Sequence, residues 1–329
     1  MRRRAFILAL GGAAAWPLAA RAQKPAIPRV GVLAPFNKND PEWQIFVAAF
    51  KKRLVDLGWT DGRNVMVDYR FAGGNAENIR TVARDLVASA PNVIFASSNV
   101  SVVALRQATH VIPVVFTQVS DPVGSGFVAN LARPGGNITG FQSFETAIGG
   151  KWLEVLKEIA PNVRRVAVLH YPSIAANVAF LHAAEAAASA LGVTVTPAGA
   201  RDAADIERVL TAHAQQPDGG IIVTPSPLTV TADKRDLIIA LAARLHLPAI
   251  YPYPLFPKSG GLISYGYDQM EQWQGGASYV DRILRGANPA ELPVQAPTKY
   301  QMIINLKTAK ALGLDVSLQL QQRADEVIE

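Results

Sequence analysis

The sequence predicts an α/β protein made of two open lobes, each built on a parallel β-sheet. Short runs rich in Val, Ile and Ala alternate with longer segments whose apolar residues recur at helical spacing. Such alternation is typical of βαβ units, whose right-handed crossovers give a parallel sheet covered on both faces. It occurs twice, over residues 28–117 and 165–251, and a glycine-rich passage at 133–140 interrupts it. Two lobes therefore follow from the pattern alone.

The first 22 residues predict an export signal. Consecutive arginines follow Met1, an apolar run covers residues 7–20, and Ala20 and Ala22 supply the small residues of a cleavage site. The apolar run is shorter than the ~20 residues needed to span a bilayer. We expect cleavage after Ala22 and a periplasmic protein. The pair Arg3-Arg4, with a spacer and two apolar residues after it, favours the twin-arginine route over the general secretory route.

The composition of the mature chain excludes several classes of protein. Removing the signal leaves 307 of 329 residues, more than one core usually fills. The signal holds four arginines and no acid, so the formal net charge falls from +6 to +2. No basic patch with interleaved aromatic residues remains, and we expect no nucleic-acid partner. The absence of cysteine excludes disulfides, thiolate metal sites, a cysteine nucleophile and a lipidated N-terminal cysteine.

The strands and helices follow the alternation in order. Helices are expected at 42–58, where a glycine suits the C-cap, and at 78–89, 100–108 and 205–213. Later, residues 260–266 form a glycine-bounded strand, 269–285 a helix and 288–298 an extended segment, which we interpret as crossings between the lobes. The strands are predicted at 29–34, 64–71, 93–96, 114–117, 165–170, 193–197, 220–224 and 248–251.

Several short motifs occur in an order that resembles one family. They are VGVL at 30–33, LGW at 57–59, GRNV at 62–65, DPV at 121–123, NLARPGGNITG at 130–140, GGLISYG at 260–266 and LPVQ at 292–295. Together with the signal and the closing NLKTAKALG at 305–313 and RADEVIE at 323–329, this set resembles the substrate-binding proteins of ABC transporters, in the group with tryptophan- and tyrosine-binding members.

The resemblance implies a type I periplasmic-binding fold, in which two Rossmann-like lobes joined by a three-crossing hinge close on a ligand. The expected N-terminal lobe is 28–140 plus 267–300, and the C-terminal lobe is 141–266 plus 301–329. The implied function is capture of a small solute, an amino acid and in particular an aromatic one, for delivery to an inner-membrane ABC permease and its ATPase. We expect a monomer without a cofactor. A periplasmic sensor subunit and an exported hydrolase are the alternatives.

Ligands of open α/β sheets bind beyond the carboxyl ends of the strands, where helix N-termini present free N–H groups. After the third strand, Ser97, Ser98 and Asn99 precede an apolar helix and suit a carboxylate; the alternative is that one of them only caps that helix. Asp121 is the candidate partner of an ammonium group, or else a turn residue of an Asp-Pro pair. The other first-lobe candidates are Phe36, Asn37 and Thr117.

In the second lobe the strand ends carry tyrosine and small polar residues. A tyrosine ring suits an aromatic or amphipathic ligand, but it can equally pack under a loop. At the return crossing, hinge packing is the alternative role for Ser264 and Tyr265. The second-lobe candidates are Tyr171, Ser173, Thr224 and Tyr251, with Ser264 and Tyr265 at the crossing.

An enzyme needs a catalytic set, and the sequence offers none by motif. There is no H-E-x-x-H, no G-x-S-x-G and no phosphate-binding loop, since Gly149-Gly150-Lys151 is followed by Trp152. His170, which ends a strand at the predicted cleft, is the one histidine to consider, and a hydrogen-bonded strand-end histidine without a catalytic role is the favoured interpretation. We expect no catalytic residues and no metal site, while a dispersed serine triad stays open because such triads need not show in sequence.

Overall fold

The computed structural model describes residues 27–73, 75–226 and 231–329. The predicted export signal and its cleavage site lie outside the described residues. Within these ranges, the helices are all too short or too polar to cross a membrane.

The first sheet has five parallel strands in the order β2-β1-β3-β4-β5. Three helices, α1 (Pro41–Asp56), α2 (Ala76–Ala88) and α3 (Asn99–Ala108), connect the first four strands. The sheet and its helices form what we call the first lobe. The strands are β1 (Arg29–Ala34), β2 (Met66–Phe71), β3 (Val93–Ser97), β4 (Val114–Val119) and β5 (Ile138–Gln142).

The strand β5 is a difference from the sequence prediction, which treated the glycine-rich passage as an interruption. Ile138–Gln142 pairs in parallel with β4 and completes the first sheet. Gly140 has a φ of +153°, and a Cβ added to it would lie 2.1 Å from the carbonyl oxygen of Phe116. The glycine therefore permits a close approach of two strands.

The second sheet has seven strands in the order β12-β11-β10-β9-β8-β6-β7 and defines the second lobe. Its strands are β6 (Arg165–His170), β7 (Thr194–Gly199), β8 (Gly219–Val223), β9 (Ala249–Tyr251), β10 (Ile263–Tyr267), β11 (Tyr300–Asn305) and β12 (Glu326–Ile328). The helices that follow in chain order are α4 (Ile148–Ile159), α5 (Ala175–Ala188), α6 (Ala203–His213), α7 (Ala232–Arg244), α8 (Leu255–Lys258), α9 (Gln269–Leu284), α10 (Leu306–Ala311) and α11 (Leu318–Arg323).

The chain crosses between the two sheets three times. It leaves the first sheet after β5, returns after β10, and leaves again between α9 and β11. The helix α9 packs on the first sheet, where the Trp273 ring lies 5.0 Å from that of Phe95. The strand β11 then runs antiparallel to β10, because the chain re-enters the second sheet from the other lobe. Apart from that pair, the predicted class of two α/β lobes with parallel sheets is confirmed.

Candidate functional site

A cavity lies between the loops of the two lobes, and we call it the cleft cavity. Its empty volume, which includes space open to solvent, is about 540 Å³. It lies beyond the carboxyl ends of β3 and β4 in the first lobe and of β8 and β9 in the second, the place where open α/β sheets bind ligands. The walls are formed by Pro35, Ile79, Ser98, Asn99, Val100, Gln118, Ser120, Ile174, Pro225, Ser226 and Tyr253.

Helix α3 begins at the wall of the cleft cavity. Ser98, Asn99 and Val100 all line it. Ser98 precedes the helix with a φ of 82°, and its side chain forms no capping hydrogen bond. The first N–H groups of a helix have no acceptor within the helix, and they lie at the positive end of its dipole. This end of the cavity therefore suits an anionic group.

Asn99 joins the two first-lobe loops that form this wall. Its Nδ2 donates to the carbonyl oxygen of Ser120 at 2.8 Å, and its Oδ1 accepts from the N–H of Ser120 at 3.0 Å. Both the donor and the acceptor of the Asn99 side-chain amide are therefore hydrogen-bonded to the backbone of Ser120. Asn99 fixes the spacing between the start of α3 and the loop after β4.

Gln118 supplies a buried hydrogen-bond donor to the cleft cavity. Its side chain is only 8% exposed, and its Oε1 accepts from the Ser97 hydroxyl. Among the described residues its Nε2 has no hydrogen-bond partner. A buried amide without a partner costs free energy, on the order of 1–3 kcal/mol. A ligand acceptor, such as a carboxylate or carbonyl oxygen, would satisfy this donor.

The second lobe contributes an apolar wall and one tyrosine. Helix α5 begins after Ile174, whose side chain cannot cap it. Tyr253 is buried, and its ring meets that of Tyr267 edge to face at 6.1 Å. Burial raises the pKa of the Tyr253 phenol well above its usual range, so the hydroxyl stays neutral.

A wider cavity continues from the cleft cavity, and we call it the outer cavity. The two share four wall residues, Ile79, Asn99, Val100 and Ile174. The outer cavity also carries three basic side chains, Arg80, Arg201 and Lys234. Each of these bases has an acid nearby: Glu77 pairs with Arg80, and Asp205 and Asp233 interact with Arg201 and Lys234.

Four of the residues predicted from the sequence line these cavities. Ser98 and Asn99 are in the wall of the cleft cavity. Tyr171 and Ser173, from the loop after β6, are in the wall of the outer cavity. The structure thus brings together residues from the ends of β3 and β6, which lie in different lobes.

Three further predicted residues support the walls through hydrogen bonds. Ser97 donates to Gln118. The Thr117 hydroxyl donates to Gln272 Oε1 at 3.2 Å. Thr224 Oγ1 donates to the carbonyl oxygen of Leu169 and to the Asn177 side chain, at 3.0 Å each.

The predicted aromatic residues pack against other rings. Phe36 stacks on Trp43 at 4.1 Å, Tyr251 on Phe256 at 4.5 Å and Tyr265 on Tyr300 at 5.6 Å, measured between ring centroids. None of the three predicted rings is among the described wall residues of the two cavities. Ring stacking explains these positions.

The remaining predicted polar residues also lie away from the described walls. Asn37 is exposed next to Gly73, and Ser264 is fully buried in β10. Asp121 has a φ of 46°, and its Oδ1 accepts from the N–H of Gly124 at 2.9 Å. That bond closes a tight turn, the alternative role considered for Asp121.

The site residues listed from the sequence leave out four that line the cleft cavity, Gln118, Ser120, Ser226 and Tyr253. All four lie in strand-end turns that the sequence indicated, since they stand within two residues of the candidates Thr117, Asp121, Thr224 and Tyr251. Which residue of a turn lines the cavity depends on local geometry, as for Gln118 with its positive φ.

Two α/β lobes with a cavity between their strand-end loops are the arrangement of a solute receptor of the periplasmic-binding type. Over residues 30–328 the chain matches the family model of the ABC transporter substrate binding protein. The chain therefore belongs to the ABC transporter substrate-binding protein family, whose members bind a small molecule and work with an ABC permease. The expected relationship and fold are confirmed.

Known proteins similar to this chain come from several bacteria. A tyrosine-binding protein of Clostridioides difficile is 24% identical over 265 residues, which cover 80% of this chain and 75% of that protein. A Streptococcus pneumoniae ABC domain in complex with L-Trp has 24% identity and a TM-score of 0.84. A conserved domain protein of Vibrio cholerae has 28% identity and the same TM-score. Each of the two structural matches covers 92% of this chain and 99% of the other.

Proposed function

We propose that this protein is the periplasmic receptor of an ABC importer and captures a small carboxylate-bearing solute in the cleft cavity. The observation that carries the proposal is the buried Gln118 amide, whose Nε2 has no partner among the described residues and which shares a wall with the start of α3. Both features offer N–H donors to one acceptor group. Tyrosine and tryptophan, which the similar proteins bind, are themselves carboxylate-bearing solutes.

Capture would proceed by closure of the lobes. The first lobe supplies polar donors, and the second lobe supplies Ile174, Pro225 and Tyr253. A ligand that touches both walls stabilises the closed arrangement, because it gains contacts that the open one lacks. The closed form is the one that we propose is presented to an inner-membrane permease and its ATPase.

The remaining features of the proposal concern the mature protein. We propose export, cleavage after Ala22 and a monomer that releases its solute unchanged. We also propose lobes at residues 28–140 with 267–300, and 141–266 with 301–329. The packing of α9 on the first sheet and the pairing of β11 with β10 support this division.

A thermal-shift screen tests the proposal. The full chain is expressed with its signal, and the processed protein is purified from the periplasmic fraction, where mass spectrometry gives its N-terminus. A solute that binds only the native state raises the melting temperature; at 100 times its Kd it adds about 2.7 kcal/mol to the free energy of unfolding. We expect a saturable shift with a carboxylate-bearing solute, which is then recovered unchanged.

A pair of matched variants ties the shift to the cleft cavity. Gln118→Leu removes the amide but keeps the side-chain size, whereas Gln216→Leu makes the same change at an exposed loop position. We expect loss of binding in the first variant only. No shift with any solute, or turnover of the solute that binds, would contradict the proposed function.

A further inference from the structure

We propose that the solute is a carboxylate with an apolar body and no ammonium group, such as an arylalkanoic acid, rather than an amino acid. This inference rests on the proposed function, since it names the chemical class that the same cleft would select. It starts from the charges around the cleft rather than from its shape.

The charged side chains that line the cleft are all basic. Arg80, Arg201 and Lys234 line the outer cavity, and the described wall residues of both cavities include no Asp or Glu. Glu77 forms a salt bridge with Arg80, and Asp205 and Asp233 interact electrostatically with Arg201 and Lys234, so each base has an acid near it outside these walls. The walls themselves therefore offer basic side chains to a carboxylate and no acid to an ammonium group.

An α-amino acid would need an acceptor for its ammonium group. Buried charges in proteins are normally paired, because an unpaired charge loses its hydration without compensation. Asp121 is the acid that the sequence offers for this role, and its Oδ1 already accepts from Gly124 N–H. A Cβ on Gly124 would lie 2.1 Å from Asp121 Oδ2, so the carboxylate lies against its own turn.

The residues outside the described ranges cannot supply the missing acid. Residues 1–26 contain no Asp or Glu, residue 74 is glycine, and residues 227–230 read Pro-Leu-Thr-Val. The acids at the start of α1, Asp40 and Glu42, follow the loop after β1. They are therefore included as variants in the test below.

The donors around the cleft cavity, in contrast, are abundant. Gln118 Nε2 is buried without a partner among the described residues. The first turn of α3 offers N–H groups at the same wall, and α5 begins at Ile174 on the opposite wall. Two helix N-termini and one amide thus offer donors at the walls of one cavity, where a carboxylate would bind.

Titration calorimetry with matched compounds tests the inference. The series is 3-phenylpropanoate, L-phenylalanine and phenethylamine, together with the 4-hydroxyphenyl analogues, one of which is L-tyrosine. The processed protein is dialysed free of co-purified solute and titrated at low and at physiological salt. We expect the acid to bind at least about a hundredfold more tightly than the amino acid, as for sites that reject a group they cannot pair.

Charge variants provide the internal controls. Gln118→Glu places a carboxylate at the cleft cavity and should reduce binding of the acid at least about tenfold. Lys234→Gln should weaken binding of 3-phenylpropanoate mainly at low salt. Lys310→Gln, the same change at an exposed site on α10, should not change that binding. Unchanged binding of the acid in Gln118→Glu would overturn the inference.

The amino acids decide the remaining outcomes. If L-phenylalanine or L-tyrosine binds as tightly as its acid, the inference is wrong; loss of that binding in Asp40→Asn or Glu42→Gln would then identify the acid that pairs with the ammonium group. Binding of an uncharged solute alone would overturn the carboxylate class, both here and in the proposed function, but leave the receptor role intact. The absence of any ligand, or turnover of the solute that binds, would count against the receptor role as well.

Discussion

The side chain of Gln272 on helix α9 holds the backbone of Gln118 in the wall of the cleft cavity. Its Oε1 accepts from the N–H of Gln118 at 3.1 Å, and its Nε2 donates to the carbonyl oxygen of Gln142 at 2.6 Å. Gln142 ends β5, just before the first crossing between the lobes. One buried amide therefore links a residue of the proposed site to the hinge.

Replacing Gln272 should weaken ligand binding from outside the cavity. Gln272→Leu leaves the N–H of Gln118 and the carbonyl of Gln142 without partners, which costs on the order of 1–3 kcal/mol for each group. We expect a lower free energy of unfolding in urea and a higher Kd for the solute. Gln272→Glu keeps the acceptor for Gln118 and should retain more of the affinity; equal losses in both variants would contradict this positioning role.

Substitution of Gly140 should destabilise the first lobe. Gly140→Ala places a Cβ 2.1 Å from the carbonyl oxygen of Phe116 at a φ of +153°, so the strands β4 and β5 must separate. We expect a loss of about 2–4 kcal/mol in urea unfolding. Gly136→Ala is the control, because a Cβ there has no atom within 4 Å and no positive φ; similar losses in both variants would refute the explanation.

Changes at Asp121 should affect stability rather than solute binding. Asp121→Ala removes the bond to Gly124 and leaves alanine at a φ of 46°, which together should cost about 1–2 kcal/mol. Asp121→Asn keeps an acceptor and a residue that tolerates positive φ, so it should be milder. Calorimetry should give an unchanged Kd for the solute in both variants. A much higher Kd in Asp121→Asn would instead support a role for Asp121 as the partner of an ammonium group.

His213 should make stability fall in mild acid. Burial, and then the nearby Arg165, lower the pKa of this histidine below its usual 6.5. The unfolded chain therefore binds the proton more readily, so the stabilisation is complete above pH 6.5 and is lost as the pH falls through the folded-state pKa. Urea unfolding between pH 7.5 and 5 should show this decline, and His213→Leu should reduce its slope; identical slopes would exclude His213 as the cause.

Most of the fold was predictable because its signals are local. The period of the apolar residues gave strands such as β1 and helices such as α1. The strand β5 was missed because the glycines at 135, 136 and 140 are typical of a loop. The antiparallel β11 was missed because its direction depends on where the chain re-enters the second sheet.

The site was less predictable because it depends on contacts between distant residues. Ser98 and Asn99 were found from the rule that ligands bind beyond the carboxyl ends of the strands. The same rule indicates the turn of Thr117 and Gln118, but not that Gln118 lines the cavity, since its positive φ is stabilised by Gln272, 154 residues further along the chain. Similarly, no sequence pattern distinguishes Tyr251, which stacks on Phe256, from Tyr253, which lines the cavity.

The position of Trp273 has a consequence for the order of synthesis. Its ring lies 5.0 Å from Phe95, 6.1 Å from Phe36 and 6.4 Å from Phe50, so it completes the aromatic core of the first lobe. The first lobe begins near the N-terminus, yet its core cannot close until the ribosome has made residue 273. Nascent chains that stop earlier expose three phenylalanine rings, a surface that favours aggregation. The aromatic core of the first lobe is therefore complete only after strands β6 to β10 of the second lobe have been made.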